Sequence, residues 1–276
     1  LTARRERLRQ LLRSPTVLIG AAIIAFWIGC AVVGRILVPS DPFATDIIAA
    51  LAPPSAAHWF GTDQLGRDVF SRVIVGARDI LVVAPLATLV GVAGGVALGL
   101  VTGYFRGLVD ATVSRVIDAL LALPLVIIAL LALAALGPST ATVIVVIGVV
   151  FAPLIARTVR AAVLAESALD YVAAARLRGE GGAYILFVEI LPNIVPPILV
   201  EATVRLGYAV FTVATLSFMG FGIQPPSPDW GLAISENYGL LSGGVWWIVL
   251  ANAAAIASLV IGVNLVADGV QEALAS

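Results

Sequence analysis

Catalysis needs nucleophiles, acid–base pairs, metal ligands or phosphate cradles, and this sequence holds few of them. Cys30 is its single cysteine and His58 its single histidine. One thiol cannot close an intramolecular disulfide, and one imidazole is too few for a zinc site of the usual His/Cys type. All sixteen basic residues are arginine. A Walker A loop needs a lysine after its glycines, so any ATP-driven work belongs to another chain. What remains is charge in an unusual place. Glu201 and Arg205 stand four apart in an apolar stretch with the acid first, the order in which a helical pair is best placed to meet. Either charge alone would be costly inside a membrane. The pair reads either as self-neutralising against other protein or as the lining of a translocation path.

Two further patterns concern backbone approach. Gly91, Gly95, Gly99 and Gly103 recur every fourth residue, which puts them on one helical face where a second helix can come close. That face suits a fixed packing seam and equally a surface that shifts between two packings. The segment from Asp170 through Tyr171, Ala173, Ala174, Ala175 and Arg176 to Gly179 favours a slim helix ended by a sharp reversal, with a second short helix before Leu191 and Pro192. It fits a plain connector, or an insert into a groove on a cytoplasmic partner.

The elements that must position these residues follow from composition. Of 276 residues, 61% are hydrophobic and 12% charged, about half the usual globular share of charge, and mean hydropathy is +1.07. This is a membrane protein. At about 20 residues per crossing, five to seven helices would use roughly half the chain. A net charge of -1 leaves no basic excess for a phosphate backbone, so nucleic acid is not an expected partner.

The pass along the chain gives an arginine-rich cytoplasmic arm (1–15), an uncleaved first transmembrane helix (16–38), an outer loop (39–79) and a core domain (80–267) with five more helices, then a cytoplasmic tail (268–276). Within the core, spans are expected near 80–103, 116–136, 139–157, 194–217 and 245–267, with a cytoplasmic loop at 158–193 and an outer loop at 218–244. Eleven arginines then lie inside, including Arg4, Arg5, Arg7, Arg9 and Arg13, and four outside: Arg35, Arg67, Arg72 and Arg78. The positive-inside rule puts both termini in the cytoplasm. Near the inner interface, Asp118 is expected to pair with Arg115.

The order Ala173-Ala174-Ala175, three residues, Gly179, then Leu191-Pro192 resembles the cytoplasmic "EAA" loop of bacterial ABC importer permeases, with Ala173 where that pattern has Glu and Glu189 where it has Ile. The stretch from His58 through Gly61-Thr62-Asp63, Gly66-Arg67-Asp68 and Ser71-Arg72 is similar to the signature ahead of the second span in dipeptide/oligopeptide permeases. So are Gln224-Pro225-Pro226 and Pro228-Asp229-Trp230-Gly231. By residues alone, these outer stretches read as an interfacial aromatic belt with an Arg67/Asp68 cap and a folded plug. The resemblance adds docking or gating, with Arg67, Asp68, Pro225, Pro226, Asp229 and Trp230 as candidates.

The resemblance implies an all-α, six-helix permease of the type I ABC importer architecture, working by alternating access. It implies four kinds of partner: a homologous permease of the DppB/OppB type, two ATPase subunits of the DppD/DppF type (separate or fused) that bind ATP and Mg, an extracytoplasmic substrate-binding protein, and membrane lipid. The chain itself would hold no cofactor, catalytic residue or metal. The cargo implied is a peptide, with nickel, haem or another small solute as alternatives within the same importer type. A stand-alone secondary transporter or channel is a more distant reading, lacking a clear internal repeat or ring of pore charges.

Overall fold

The computed structural model describes residues 14–275; the arginines of the amino-terminal arm lie outside that range. Among the described residues the secondary structure is helical, in nine α-helices with two short 3-10 turns. They are α1 (Pro15–Leu37), α2 (Val69–Phe105), α3 (Gly107–Leu121), α4 (Leu125–Leu136), α5 (Thr140–Glu166), α6 (Asp170–Leu177), α7 (Gly182–Phe218), α8 (Trp230–Asn237) and α9 (Trp247–Ala275). Five of them, α1, α2, α5, α7 and α9, are long and apolar enough to cross a membrane, and α3 with α4 forms a sixth crossing only if the bent pair is one span.

That pair departs from the span expected at 116–136. The two helices meet at 90°. Pro124 is the cause, since a proline disfavours the helical region for the residue before it, and the chain leaves helix at Ala122–Pro124. At about 1.5 Å per residue, the 12 residues of α4 reach roughly 18 Å, short of a bilayer core. Asp118 on α3 meets Arg157 at 3.8 Å rather than Arg115, with both side chains mostly exposed. Asp110, at the start of α3, forms a two-pronged ion pair with Arg160 of α5, both contacts at 2.6 Å.

The α2–α5 pair is the spine of the core. Gly91, Gly95, Gly99 and Gly103 are all buried and face a matching four-residue row on α5. A Cβ added at Gly95, Gly99 or Gly103 would sit 2.5, 2.6 or 2.7 Å from the Cβ of Ile155, Val159 or Val163. Without side chains on one face the helices close until β-branched residues touch backbone, gaining dispersion contacts. Ile147, Ile155 and Val163 are fully buried as a result.

The expected loops are more helical than the sequence suggested. α5 runs on to Glu166, and α7 begins at Gly182, so most of 158–193 is helix. Pro192 lies within α7, just after a π-helical segment, Ile185–Ile190. Helix α8 sits within the loop expected outside, 218–244.

Candidate functional site

The elbow expected on the cytoplasmic side is built from α6. Asp170 lies in its first turn and Arg176 in its last, each matched to the helix dipole. The end is a Schellman motif: Glu180 N–H donates to Ala175 O at 3.2 Å and Gly179 N–H to Arg176 O at 3.0 Å. Gly179 has φ +80° and nothing within 4 Å of its missing side chain, so glycine is required by backbone conformation and not by crowding. Val172 and Ala175 are fully buried against the core. Ala173, Ala174, Arg176 and Leu177 face outward, and Leu177 is 90% exposed.

Tyr171 ties the elbow to both flanking helices. Its hydroxyl lies 3.3 Å from Glu166 Oε2 at the end of α5 and accepts from Asn193 Nδ2 of α7 at 3.1 Å. Asn193 also donates to Glu189 O at 2.8 Å, and Arg178 reaches Glu189 Oε1 at 3.0 Å. Burial, together with the facing Glu166 and Glu189 carboxylates, raises the Tyr171 hydroxyl above its ordinary pKa. Arg176 stacks over the Tyr104 ring, 5.7 Å from its centroid, joining the elbow to the inner end of α2. Leu191 is half-buried and Pro192 exposed.

At the opposite end, the loops expected on the outer side fold into a polar cap. Asp63 accepts from the Leu65 and Arg67 N–H groups at 2.9 and 3.0 Å and from Arg67 Nε at 2.6 Å. Arg72 lies 3.6 Å from the same carboxylate and donates to Pro42 O at 3.1 Å and Ser227 O at 3.4 Å. Asp68 caps α2 through Ser71 N–H at 2.8 Å and holds His58 Nδ1 at 2.9 Å. Arg67 also faces Glu236 at 3.8 Å. Trp230 is buried, donates to Val73 O at 2.8 Å and packs edge-on against Trp27 at 4.7 Å. Trp247 donates to Thr62 O at 3.1 Å.

Asp229 caps α8 through Leu232 N–H at 2.8 Å and is 1% exposed. Burial pushes this carboxyl up to about 6. Asp68, Asp229 and Trp230 are therefore interior supports of the cap, whereas Pro225 and Pro226, joined by a cis peptide bond, lie at its surface.

Glu201 and Arg205 meet at 2.6 Å on α7, and Thr158 of α5 reaches Glu201 Oε2 at 3.4 Å. Their side chains are 14% and 18% exposed. Arg205 also lies over the Tyr208 ring, 5.5 Å from its centroid.

The arrangement is a shaped elbow at one end, a polar cap at the other and apolar helices between them. Residues 95–276 match the family described as "Binding-protein-dependent transport system inner membrane component", and residues 2–54 match the "N-terminal TM domain of oligopeptide transport permease C". The chain belongs to this permease family. The permease is 36% identical to the "Dipeptide transport system permease protein DppC" of Alkalihalophilus pseudofirmus over 98% of its own length and 88% of that protein. It is also 36% identical to the "Probable D,D-dipeptide transport system permease protein DdpC" of Escherichia coli K12, over 95% and 87% of the two chains. Its fold is that of a chain in an inward-facing MetNI methionine ABC transporter, with TM-score 0.61, 21% identity, and coverage of 74% of this chain and 96% of that one.

The permease is thus an inner-membrane translocation component and not an enzyme. Three of its site features escaped the sequence reading. Leu177 stands at the elbow tip, and only its exposure singles it out. The Tyr171–Glu166–Asn193 knot joins residues whose mutual approach depends on the fold. Asp63 anchors the cap, although the sequence pointed to its neighbours Arg67 and Asp68.

Proposed function

We propose that this permease is one of two membrane halves of an ATP-driven importer that carries dipeptides or short oligopeptides inward by alternating access. One observation carries the reading: a Schellman-closed helix outside the membrane core, anchored by Val172, Ala175 and Tyr171, that leaves Ala173, Ala174 and Leu177 bare. A slim apolar tip on a rigid mount fits a groove in a cytoplasmic partner. That partner is one of two ATPase subunits of the DppD/DppF type, which hold ATP and Mg. A homologous DppB/OppB-type permease forms the other membrane half, and a substrate-binding protein delivers the peptide from outside.

ATP-driven closure of the ATPases moves the elbow. Tyr171, Arg176 and Arg178 pass that movement to α5, α2 and α7 through the contacts described above. Leu191 and Pro192 mark where the elbow passes into the long straight part of α7. Glu201 and Arg205 are a self-neutralised pair held against α5 rather than a pair open to the path, since Thr158 takes up the second Glu201 oxygen. Pro225 and Pro226 are the part of the cap offered to the binding protein, with Arg67, Asp68, Asp229 and Trp230 fixing its shape. The dipeptide and D,D-dipeptide relatives favour a peptide as cargo.

The test is substitution at Gly179 in the assembled importer. Gly179→Ala imposes only the left-handed backbone cost, about 1–2 kcal/mol for an L-residue, and keeps most uptake. Gly179→Trp adds bulk where the chain itself leaves open space. It abolishes peptide uptake while ATP hydrolysis and co-purification of the subunits persist at least in part. Unchanged uptake with Gly179→Trp would overturn the assignment.

A further inference from the structure

The four arginines on the outer side fall into two classes. Arg67 and Arg72 share Asp63, and Arg67 also faces Glu236, so two carboxylates balance two guanidinium groups. Arg35 and Arg78 are exposed and have no ion-pair or hydrogen-bond partner among the described residues. Both line one groove of about 840 Å³ between α1 and α2, bordered by the loop residues Pro226, Ser227 and Pro228.

The depth of the two guanidinium groups follows from helix length. The 37 residues of α2 extend about 55 Å, roughly 25 Å more than a hydrocarbon core. Its outer turns carry the buried polar cap residues Ser71 and Arg72, so much of that excess lies on the outer side. Arg78 stands nine residues, about 13 Å, from the outer end of α2, and Arg35 lies in the last turn of α1. Both belong at the headgroup level of the outer leaflet. Further into the membrane the groove is walled by Ile28, Val32, Leu81 and Val82, and Val32 is 73% exposed.

The charge balance narrows the occupant. Asp79, the only other charged lining residue, accepts a hydrogen bond from the Ser227 hydroxyl. Two guanidinium groups against one carboxylate leave a single positive charge, which matches the single negative charge of a phosphodiester. Arginine suits phosphate because its planar fork donates two parallel charge-assisted hydrogen bonds.

We propose that this groove binds one phospholipid of the outer leaflet, with the phosphodiester held by Arg35 and Arg78 and an acyl chain lying along Ile28, Val32 and Val82. The reading does not depend on which solute the importer carries.

The test uses the intact importer, stripped of lipid in detergent and titrated with palmitoyl-oleoyl phosphatidylglycerol while bound lipid is counted by native mass spectrometry. One phosphatidylglycerol is retained per permease more tightly than the rest. The matching diacylglycerol, which lacks the phosphate, is not retained, and inorganic phosphate at equal concentration does not displace the lipid. The Arg35→Gln/Arg78→Gln double variant weakens this binding tenfold or more. Arg35→Lys/Arg78→Lys, which keeps the charge but not the planar fork, recovers part of it, so a folding defect is distinguished from loss of the site. Equal retention by the glutamine variant, equal retention of diacylglycerol, or displacement by phosphate alone would each overturn the proposal. So would absence of a tight lipid on the wild-type complex, the result expected if a neighbouring subunit fills the groove.

Discussion

Replacing Gly99 with alanine tests the close α2–α5 seam most directly, because the change adds one carbon at a known place. That carbon would lie 2.6 Å from Val159 Cβ, 2.8 Å from Val159 Cγ1 and 2.9 Å from Ala156 O. Comfortable carbon–carbon contact needs about 3.5–4.0 Å, so the helices must part by about 1 Å, because turning Val159 about χ1 moves its Cγ atoms but not its Cβ. Val159 is itself 1% exposed and has no free space to enter. Overpacking of this kind costs about 1–3 kcal/mol, equivalent to a Tm drop of roughly 2–10 °C for a chain of this size. The assay is thermal unfolding of the purified importer followed through this subunit. Gly29→Ala serves as the control, because nothing lies within 4 Å of that position, and it leaves the Tm unchanged or slightly raised. A seam that stays closed through the cycle loses stability with an unchanged ratio of ATP hydrolysed to peptide imported. A seam that opens and closes changes that ratio as well. An unchanged Tm for Gly99→Ala, or an equal fall for Gly29→Ala, would refute the packing argument.

Other expectations follow from single contacts. Tyr171→Phe removes the hydroxyl shared by Glu166 and Asn193, costing about 1 kcal/mol; it lowers uptake per ATP hydrolysed in a reconstituted transport assay while leaving subunit assembly intact. Asp229 is raised to about 6 in the fold from an ordinary 3.8, so the folded state holds its proton more tightly than the unfolded chain. Its contribution is complete below about pH 4 and is lost as pH rises to about 6, a difference of about 3 kcal/mol. Asp229→Asn keeps the acceptor for Leu232 N–H, and its melting temperature changes less than wild type between pH 4.5 and pH 7.5. Glu201→Gln leaves Arg205 poorly compensated at 18% exposure and destabilises the subunit by about 3 kcal/mol or more. The Glu201→Gln/Arg205→Met double variant recovers much of that loss in the same melting assay.

Much of the architecture is written in local sequence. Spans α1, α2, α5, α7 and α9 appear as apolar runs, and helical periodicity alone puts Gly91 to Gly103 on one face. The break between α3 and α4 was carried by one residue, Pro124, inside a run whose hydrophobicity otherwise argued for a continuous span. The length of α7 was hidden for the converse reason. Pro192 looked like a stop, yet the π-helical turn of Ile185–Ile190 lets the chain pass through it without ending the helix. The outer cap could be seen as a cluster of polar motifs but not as a bonding scheme. Gln64 donates to Glu236 O at 2.8 Å across 172 positions of chain, and no spacing rule predicts such a contact. The same holds for the knot at Tyr171, whose partners Glu166 and Asn193 approach only after α5 and α7 have packed.

One helix touches both ends of this molecule. α2 begins in the cap at Asp68 and finishes beside the elbow at Tyr104, under Arg176. If the elbow is pushed as proposed, a beam that long turning as one body would swing its two tips in opposite directions, and the push would arrive at the cap as a counter-movement. The beam's weakest point is Pro85, whose missing N–H leaves one turn without its internal tie. Stiffness at that single residue would then set how faithfully the far tip answers the near one.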